Sequence, residues 1–281
     1  MGLSKFFRKK ALYKAVRGNV SVHAPHKILD QLGRQILEGL AVDDFIDAGD
    51  VLIFVGCHHD FGLSAQRDSL RIGIQTEQFF DQSGAELWGM LRKPKAVAGL
   101  LRNLACVDVM LDINVANSAW WDAQDLSDGN RTKLHFGPKI FPSEPRQFQG
   151  KKNGPNLFFG DLSGRRGTIL RQLEPGKVKI LPTGTYGADL MRELDNAAAV
   201  VNIHFEHGVY TEAPRLLSAY LAGKPVISEM LDRPFIEGKH YLALRGHDHE
   251  NLEDVYNSFS SLVTSDLSFG SFLKSVLGTF E

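Results

Sequence analysis

Five ionisable side chains crowd one short stretch of the chain, and their types suit binding of a phosphate and a sugar hydroxyl. They are His204, Glu206, His207, Glu212 and Arg215. Arginine can hold an anion through two parallel hydrogen bonds, and a carboxylate can accept hydrogen bonds from sugar hydroxyls. The simpler interpretation is an ordinary amphipathic helix with a surface Glu–Arg pair three positions apart.

The elements around this stretch are predicted to be a strand, a loop, a helix and a second strand. Residues 200–204 are an apolar run typical of a buried strand, and apolar residues recur at helical spacing over 212–222. Thr211 is a candidate cap for this helix, Gly223 ends it, and residues 225–228 form the next strand. Because ligands of open α/β sheets lie beyond the carboxyl ends of the strands, the ionisable residues are candidates for a ligand site.

A second candidate anion site is the loop over residues 160–167, which follows a predicted strand and precedes a helix predicted from Thr168. Gly160 opens the loop, and Arg165 and Arg166 stand near its end. Glycine lets backbone N–H groups approach a phosphate, and a helix N-terminus favours an anion. The loop has neither the Walker pattern nor the dinucleotide fingerprint, so two solvated arginines are the alternative interpretation.

The two sites together predict a division of labour. Arg165, Arg166 and Arg215 are expected to hold a diphosphate. Glu212 is expected to accept hydrogen bonds from a ribose or sugar hydroxyl, and His204 to line the floor of the site.

Polar loops also follow two predicted strands in the first half, at residues 56–60 and 76–78. His58, Asp60 or Glu77 could activate or position an acceptor hydroxyl there, so these three are the candidate catalytic residues. Metal binding by His58, His59 and Asp60 is the alternative. Neighbouring residues of a strand-end loop diverge, which argues against three consecutive ligands, and we predict no metal.

The composition excludes several functional classes. The chain has 281 residues, 43% of them hydrophobic and 23% charged, which is enough for two globular domains. Its formal net charge of −1 gives no case for nucleic-acid binding. Two cysteines support neither a disulfide framework nor a zinc site, so we expect a reducing, cytoplasmic environment. No apolar run predicts a transmembrane helix or a signal peptide.

Residues 1–18 are predicted to be a basic N-terminal leader. Six of the 32 basic residues lie within residues 5–17, interleaved with apolar side chains, and no acidic residue precedes Asp30. A solvated, frayed segment is one interpretation. Peripheral contact of residues 5–17 with an anionic membrane surface, at the inner face of the membrane, is the other.

The remaining chain alternates between strand and helix patterns in two blocks. We expect an α/β fold with two Rossmann-like domains whose parallel sheets face a cleft. The predicted domains cover residues 19–145 and 155–281, and a linker rich in Pro, Gly, Lys, Gln and Asn covers 143–155.

Three segments of the second block resemble the nucleotide-sugar domain of GT-B glycosyltransferases, in a short bacterial and phage branch. They are NLFFGDLSGRR at 156–166, VVNIHFEHG at 200–208 and TEAPRLLSAYLAGKPVISE at 211–229. The resemblance implies a nucleoside-diphosphate sugar as substrate, no cofactor and no bound metal. It places the donor in the second domain and a glycan, lipid or protein acceptor in the first.

The resemblance also implies residue roles. The donor-binding residues would be Gly160, Arg165, Arg166, His204, Glu212 and Arg215. The chain departs from the pattern at Ser218, where many retaining members carry a second glutamate. A catalytically inactive module that binds a nucleotide sugar or a partner protein is therefore the alternative function, and a membrane-docked assembly protein that uses the basic leader is a third.

Overall fold

The computed structural model describes residues 12–40, 49–64, 68–81, 83–87, 89, 93–162, 164–173, 176–244 and 251–278. Strands and helices alternate along these residues and build two mainly parallel sheets with helices packed on them. The predicted α/β class with parallel sheets is confirmed.

The sheet of the first half follows chain order in space. Its strands are β1 (Tyr13–Arg17), β2 (Val20–Ala24), β3 (Val51–Val55), β4 (Leu70–Gln75), β5 (Val109–Asp112) and β6 (Leu134–Phe136). Strands β2 to β6 run parallel, and β1 pairs antiparallel with β2. The carboxyl ends of the parallel strands therefore meet at one edge of this sheet.

Strand β1 corrects the prediction of a separate basic leader over residues 1–18. Tyr13 to Arg17 pair with β2 in register, Tyr13 opposite Ala24 and Arg17 opposite Val20. The Arg17 guanidinium also donates to the carbonyls of Leu37 and Glu38, at 3.1 and 3.0 Å. Backbone pairing is compatible with the dense positive charge here, because β1 is an edge strand that buries only Ala15 and leaves Lys14 and Arg17 exposed. Residues 1–11 lie outside the described residues, and contact of residues 5–17 with a membrane stays a prediction.

Helices cover both faces of the first sheet. Helix α1 (Lys27–Glu38) packs Leu29, Leu32 and Ile36 on one face. Helix α2 (Pro94–Cys106) packs Leu100 and Leu104 on the other, in one cluster with Trp120 and Trp121 of the short helix α3 (Ser118–Asp122). A further short helix, α4 (Asp128–Arg131), precedes β6. A buried leucine of this kind contributes about 1.5–3 kcal/mol of hydrophobic stabilisation, so the two faces hold the strand-end loops firmly in place.

The sheet of the second half has a different order. Its described strands are β7 (Asn156–Phe158), β8 (Val178–Ile180), β9 (Ala199–Asn202), β10 (Val226–Ser228) and β11 (Leu242–Ala243). All are parallel, in the order β11-β10-β9-β7-β8. The chain moves from β7 to β8 on one side and then returns to place β9 on the other side of β7. The sheet therefore has a topological switch point between β7 and β9, the position at which open α/β sheets bind ligands.

The helices of the second half agree closely with the spacing of apolar residues. They are α5 (Arg165–Gln172), α6 (Gly187–Asp195), α7 (Ala213–Leu221), α8 (Leu252–Asp266) and α9 (Phe269–Leu277). Thr211 does not cap α7: Glu212 is the N-cap residue, and the Thr211 hydroxyl accepts instead from the Asp232 backbone N–H at 3.2 Å. None of the helices in the described ranges is long and apolar enough to cross a membrane.

The segment over residues 143–155 has no helix or strand, but it is bound tightly to the second half. The fully buried Lys224 donates to the carbonyls of Gln149, Asp195 and Ala197, at 2.5, 3.2 and 3.1 Å. The Tyr220 hydroxyl accepts from the Arg146 backbone N–H at 3.1 Å. Lys224 belongs to the Gly-Lys-Pro-Val pattern, and its contacts give that pattern a structural role at the junction.

One hydrophobic core runs through both halves. It joins side chains of α1 and the first sheet to those of α7, α8 and α9. The amide of Gln35 on α1 donates to the hydroxyl of Ser218 on α7 at 2.8 Å, and both groups are buried. On the far side, α9 returns to the first half, where Phe272 stacks edge-on against His135. The two halves therefore pack through a largely apolar interface.

Candidate functional site

The predicted donor-binding residues lie at the switch point of the second sheet. Gly160 follows β7, His204 follows β9, and Arg165 and Arg166 occupy the first turn of α5. The prediction that the loop continues to residue 167 is wrong, because α5 begins at Arg165, three residues before the expected start. Gly164, the N-cap residue, has φ +60°, a backbone conformation that favours glycine.

Arg165 is engaged with the carboxylate of Glu229, the residue after β10. The two side chains form a two-point ion pair, in which one N–H···O distance is 2.7 Å. Arg165 also donates to the His204 carbonyl at 2.9 Å. The hydrogen bond to Glu229 raises the pKa of Arg165. The side chains of Arg165 and Glu229 are each 19% exposed, so this pair stays within reach of solvent.

Arg166 and Arg215 share the carboxylate of Glu212. Arg166 contacts one of its oxygens, and Arg215 the other at 2.5 Å. Arg166 also donates to the Ile203 carbonyl at 2.8 Å, and Arg215 to the side-chain oxygen of Asn202 at 2.6 Å. Burial works to raise the pKa of Glu212, but Arg215 and Arg166 outweigh it and hold that pKa below its ordinary value. All three side chains are thus ionised and largely buried.

Position 160 requires glycine because of its closeness to the Arg215 side chain. Gly160 has φ +128°, and a Cβ placed on it would lie 2.9 Å from Nη2 of Arg215. The Arg215 guanidinium also lies over the rings of Phe158 and Phe159, at 5.2 and 5.6 Å from their centroids. Glycine is needed at position 160 because a buried guanidinium occupies the space that a side chain would take.

His204 lies under the arginines and is held as a neutral ring. Its Nε2 is 2.8 Å from the Met230 carbonyl, and its ring lies 4.3 Å from that of Tyr210. The carbonyl can only accept, so Nε2 carries the proton. Burial lowers the pKa of His204. His204 is 1% exposed, and its predicted place in the floor of a donor site stays a prediction.

Sequence reasoning missed Glu229 and Asn202 as members of this cluster. Both stand at the carboxyl end of a strand: Asn202 ends β9, and Glu229 follows β10 directly. Position after a buried strand is the signal that identified His204, and it would have identified these two residues as well.

The first half brings two of its three candidate catalytic residues together. Nε2 of His58 lies 3.9 Å from a carboxylate oxygen of Glu77, and Nδ1 lies 3.4 Å from the side-chain oxygen of Gln75. Burial lowers the pKa of His58 to about 3, and the neighbouring ring of His59 adds to the effect. Burial raises the pKa of Glu77, although Lys93 opposes the shift.

The third candidate, Asp60, lines the same cavity of about 740 Å³ but has other partners. One carboxylate oxygen accepts from Arg102 at 2.8 Å, and the other accepts from the backbone N–H of Gly62 at 2.9 Å. Its side chain is 48% exposed, which makes this an ordinary surface ion pair that also closes a turn. Within the described residues, no three His, Cys, Asp or Glu side chains are arranged to hold a metal ion.

A cavity of about 660 Å³ lies between the halves. Phe80 and Trp120 line it from the first half, and Asp232 and Arg233 from the second. Asp232 comes three residues after Glu229. Residues that follow β10 in the chain therefore line the space between the halves.

Comparison with known proteins gives structural similarity only. No protein-family model matches the chain. No curated protein matches it either. A solved GtfA/B complex is similar over 82% of this chain, with 13% sequence identity and a TM-score of 0.41, and the chain spans 57% of the length of that protein. The glycosyltransferase SnogD from Streptomyces nogalater is similar over 89% of this chain and 78% of its own, with 10% identity and a TM-score of 0.31. Both TM-scores are under 0.5.

Proposed function

We propose that the protein is a glycosyltransferase of GT-B architecture that moves a sugar from a nucleoside-diphosphate donor to a hydroxyl of a glycan, lipid or protein. The observation that carries the proposal is the convergence of Arg165, Arg166 and Arg215 on the switch point of a parallel sheet. Ligands of open α/β sheets bind at this position, and guanidinium groups suit phosphate oxygens.

The charges of the cluster fit a diphosphate that exchanges with an internal partner. Three guanidinium groups face two carboxylates, Glu212 and Glu229, so one positive charge is in excess. Arg166 and Arg215 are nearly buried and keep the cluster together. Arg165 is the group that can turn from Glu229 to a phosphate, because this pair is partly exposed.

The reaction would then depend on positioning and on charge. Transfer of the sugar leaves a nucleoside diphosphate, whose developing negative charge the arginines would stabilise. The acceptor hydroxyl would enter from the first half and lose its proton to Glu77, with the neutral His58 ring beside it. The donor is a substrate here, and the proposal includes no cofactor and no metal.

A thermal-shift screen against nucleoside diphosphates and their sugars tests the proposal. A ligand at about 100 times its dissociation constant should add roughly 2.7 kcal/mol to the free energy of unfolding. Nucleosides without phosphate serve as the matched control and should give a much smaller shift. If no nucleoside diphosphate raises the melting temperature, the proposed donor class is wrong.

One contact favours the second candidate function, a catalytically inactive module that binds a nucleotide sugar or a partner. Ser218 stands where related enzymes carry a second glutamate, and its hydroxyl is already bound to Gln35 and to the Pro214 carbonyl. Transfer or slow hydrolysis of a bound donor would exclude this candidate. Tight donor binding with no turnover across glycan, lipid and protein acceptors would support it.

A further inference from the structure

The two loops that carry His58 and Glu77 are each fixed by the side chain of one buried asparagine. Asn103 is 1% exposed and Asn117 is fully buried. Both asparagines bind backbone groups of the loops, so the side chains of His58 and Glu77 remain available to a substrate. The proposed chemistry does not use these asparagines, and their burial calls for a reason.

Asn117 holds the loop after β4. Its Nδ2 donates to the Glu77 carbonyl at 2.9 Å, and its Oδ1 accepts from the Phe79 backbone N–H at 2.6 Å. The two hydrogen bonds fix the loop backbone at Glu77 and at Phe79. The direction in which the Glu77 side chain leaves the loop is thereby set by Asn117.

Asp112 determines which way the Asn117 amide points. Both carboxylate oxygens of Asp112 lie near Nδ2 of Asn117, at 3.1 and 3.0 Å. The carboxylate also accepts from the Trp121 indole N–H at 2.9 Å and from the Asn114 backbone N–H at 3.0 Å. A flipped amide would present Oδ1 to the oxygens of Asp112 and Glu77 and Nδ2 to the Phe79 backbone N–H, so it would lose these hydrogen bonds.

Asn103, on helix α2, holds the loop after β3 in the same manner. Its Nδ2 donates to the carbonyls of Cys57 and His59, at 2.9 and 2.6 Å, on either side of His58. A glycine, Gly99, lies one turn earlier on α2, and a Cβ there would be 3.3 Å from the His58 carbonyl. The loop thus rests on the helix backbone and is bound by the helix at two neighbouring carbonyls.

We propose that Asn103 and Asn117, with Asp112 behind Asn117, are positioning residues that keep His58 and Glu77 facing each other across the acceptor-side cavity. The inference rests on the proposed function for the role of His58 and Glu77. The backbone contacts that support it are independent of that function.

The test measures the titration of the His58 ring by NMR, together with turnover, in Asn103→Ala and Asn117→Ala variants. In the wild type, burial should keep the His58 ring neutral down to a pH near 3, and His59, His26 and Lys93 add to this effect. The Glu77 carboxyl lies 3.9 Å from the ring. His58→Gln assigns its signal. Release of either loop admits water, so the His58 pKa should rise by at least about one unit toward its ordinary value.

Turnover provides the second readout. Loss of alignment should lower kcat by about 10- to 100-fold, with donor affinity within about twofold of the wild type. Tyr256→Phe is the matched control, since it removes a buried hydrogen bond at the junction and leaves both loops intact. It should keep the His58 titration and kcat of the wild type.

The outcomes separate the inference from the proposed function. If Asn117→Ala does not fold, Asp112→Asn replaces it, because it keeps the shape of the side chain and removes the bias on the Asn117 amide. Folded variants with an unchanged His58 titration and unchanged kcat would overturn the positioning role. A wild type that binds no nucleoside diphosphate would overturn the proposed function alone, and the His58 titration would still decide the positioning role.

Discussion

The two sheets present their carboxyl ends in contrasting ways. At the second sheet, Arg165, Arg166 and Arg215 are ion-paired with Glu212 and Glu229. At the first sheet, His58 is a buried neutral ring beside a carboxyl, and backbone contacts to buried asparagines hold both loops. The first arrangement is kept together by ion pairs, and a bound phosphate would replace Glu229 as the partner of Arg165. The second is kept together by groups that a ligand never touches.

This contrast indicates where substitutions should affect folding and where they should affect chemistry. A buried ion pair is costly to break, because the remaining partner keeps an uncompensated charge. A half-buried carboxyl held by its backbone can be neutralised at little cost in folding. We therefore expect the donor side to respond mainly in stability and the acceptor side mainly in turnover.

The largest effect should come from Glu212→Gln. Arg215 and Arg166 would lose the carboxylate that they share, and breaking a buried pair of this kind costs about 3–5 kcal/mol. Denaturant unfolding measures the loss. Glu193→Gln is the matched control, because Glu193 forms an exposed pair with Lys179 that is worth about 0–1 kcal/mol. Equal stability of the two variants would contradict the structural role of Glu212.

Glu77→Gln should affect the reaction and leave folding nearly unchanged. Removal of a general base lowers turnover by about 10²- to 10⁴-fold, whereas the donor contacts lie in the other half. Steady-state kinetics and donor titration measure kcat and affinity separately. Glu86→Gln, an exposed change in the same region, should retain full turnover. A variant at Glu77 with wild-type kcat would remove it from the chemistry.

The pH dependence of stability should change in opposite directions for carboxylates of the two halves. Burial raises the pKa of Asp112 to about 7, so its native state gains a proton as the pH falls from 7 towards 4, and this stabilises the fold. For Glu229, burial is outweighed by Arg165, and the lowered pKa means that its stabilisation is present above about pH 4.5 and lost below.

Difference curves between each variant and the wild type isolate these two contributions. Asp112→Asn should remove the gain in unfolding free energy that Asp112 contributes as the pH falls from 7 to 4. Glu229→Gln should remove the loss that Glu229 contributes at lower pH. The pH dependence of the wild type alone does not suffice. The lowered pKa of His58 means that this group also reduces the free energy of unfolding as the pH falls. Difference curves of the same sign would contradict the contrast.

The smallest effect should come from the contact between the halves. Removal of the Gln35–Ser218 hydrogen bond is expected to cost about 1 kcal/mol, because typical intramolecular hydrogen bonds contribute about 0.5–1.5 kcal/mol. A double-mutant cycle with Gln35→Ala and Ser218→Ala measures the coupling in denaturant. A coupling energy near zero would show that this contact does not hold the halves together.

Periodicity predicted most of the fold. The strand at Val226–Ser228, the helix at Ala213–Leu221 and the two terminal helices follow directly from apolar spacing. Strand β1 was not predictable in the same way, because it is short and its charged residues resemble a disordered leader. Its pairing with β2 depends on tertiary contacts that spacing does not encode.

The candidate site was predictable in position and not in detail. Arg165, Arg166, Arg215 and His204 were expected at one rim, because the carboxyl ends of parallel strands meet there. The Glu212–Arg215 pair was among the interpretations because the two residues are three positions apart. The pairing of Arg165 with Glu229 and of Arg166 with Glu212 could not be foreseen, since it depends on strand order: β9 lies between β7 and β10.

The most direct test of the account is calorimetric titration of a nucleoside-diphosphate sugar into the wild type and two arginine variants. Arg165→Ala removes the partly exposed guanidinium at the switch point, and Arg171→Ala removes one from the last turn of the same helix. We predict that Arg165→Ala weakens binding by about 10- to 100-fold, the value of a charge-assisted hydrogen bond, and that Arg171→Ala does not. Equal affinity of the wild type and both variants would contradict the claim that these arginines hold the donor.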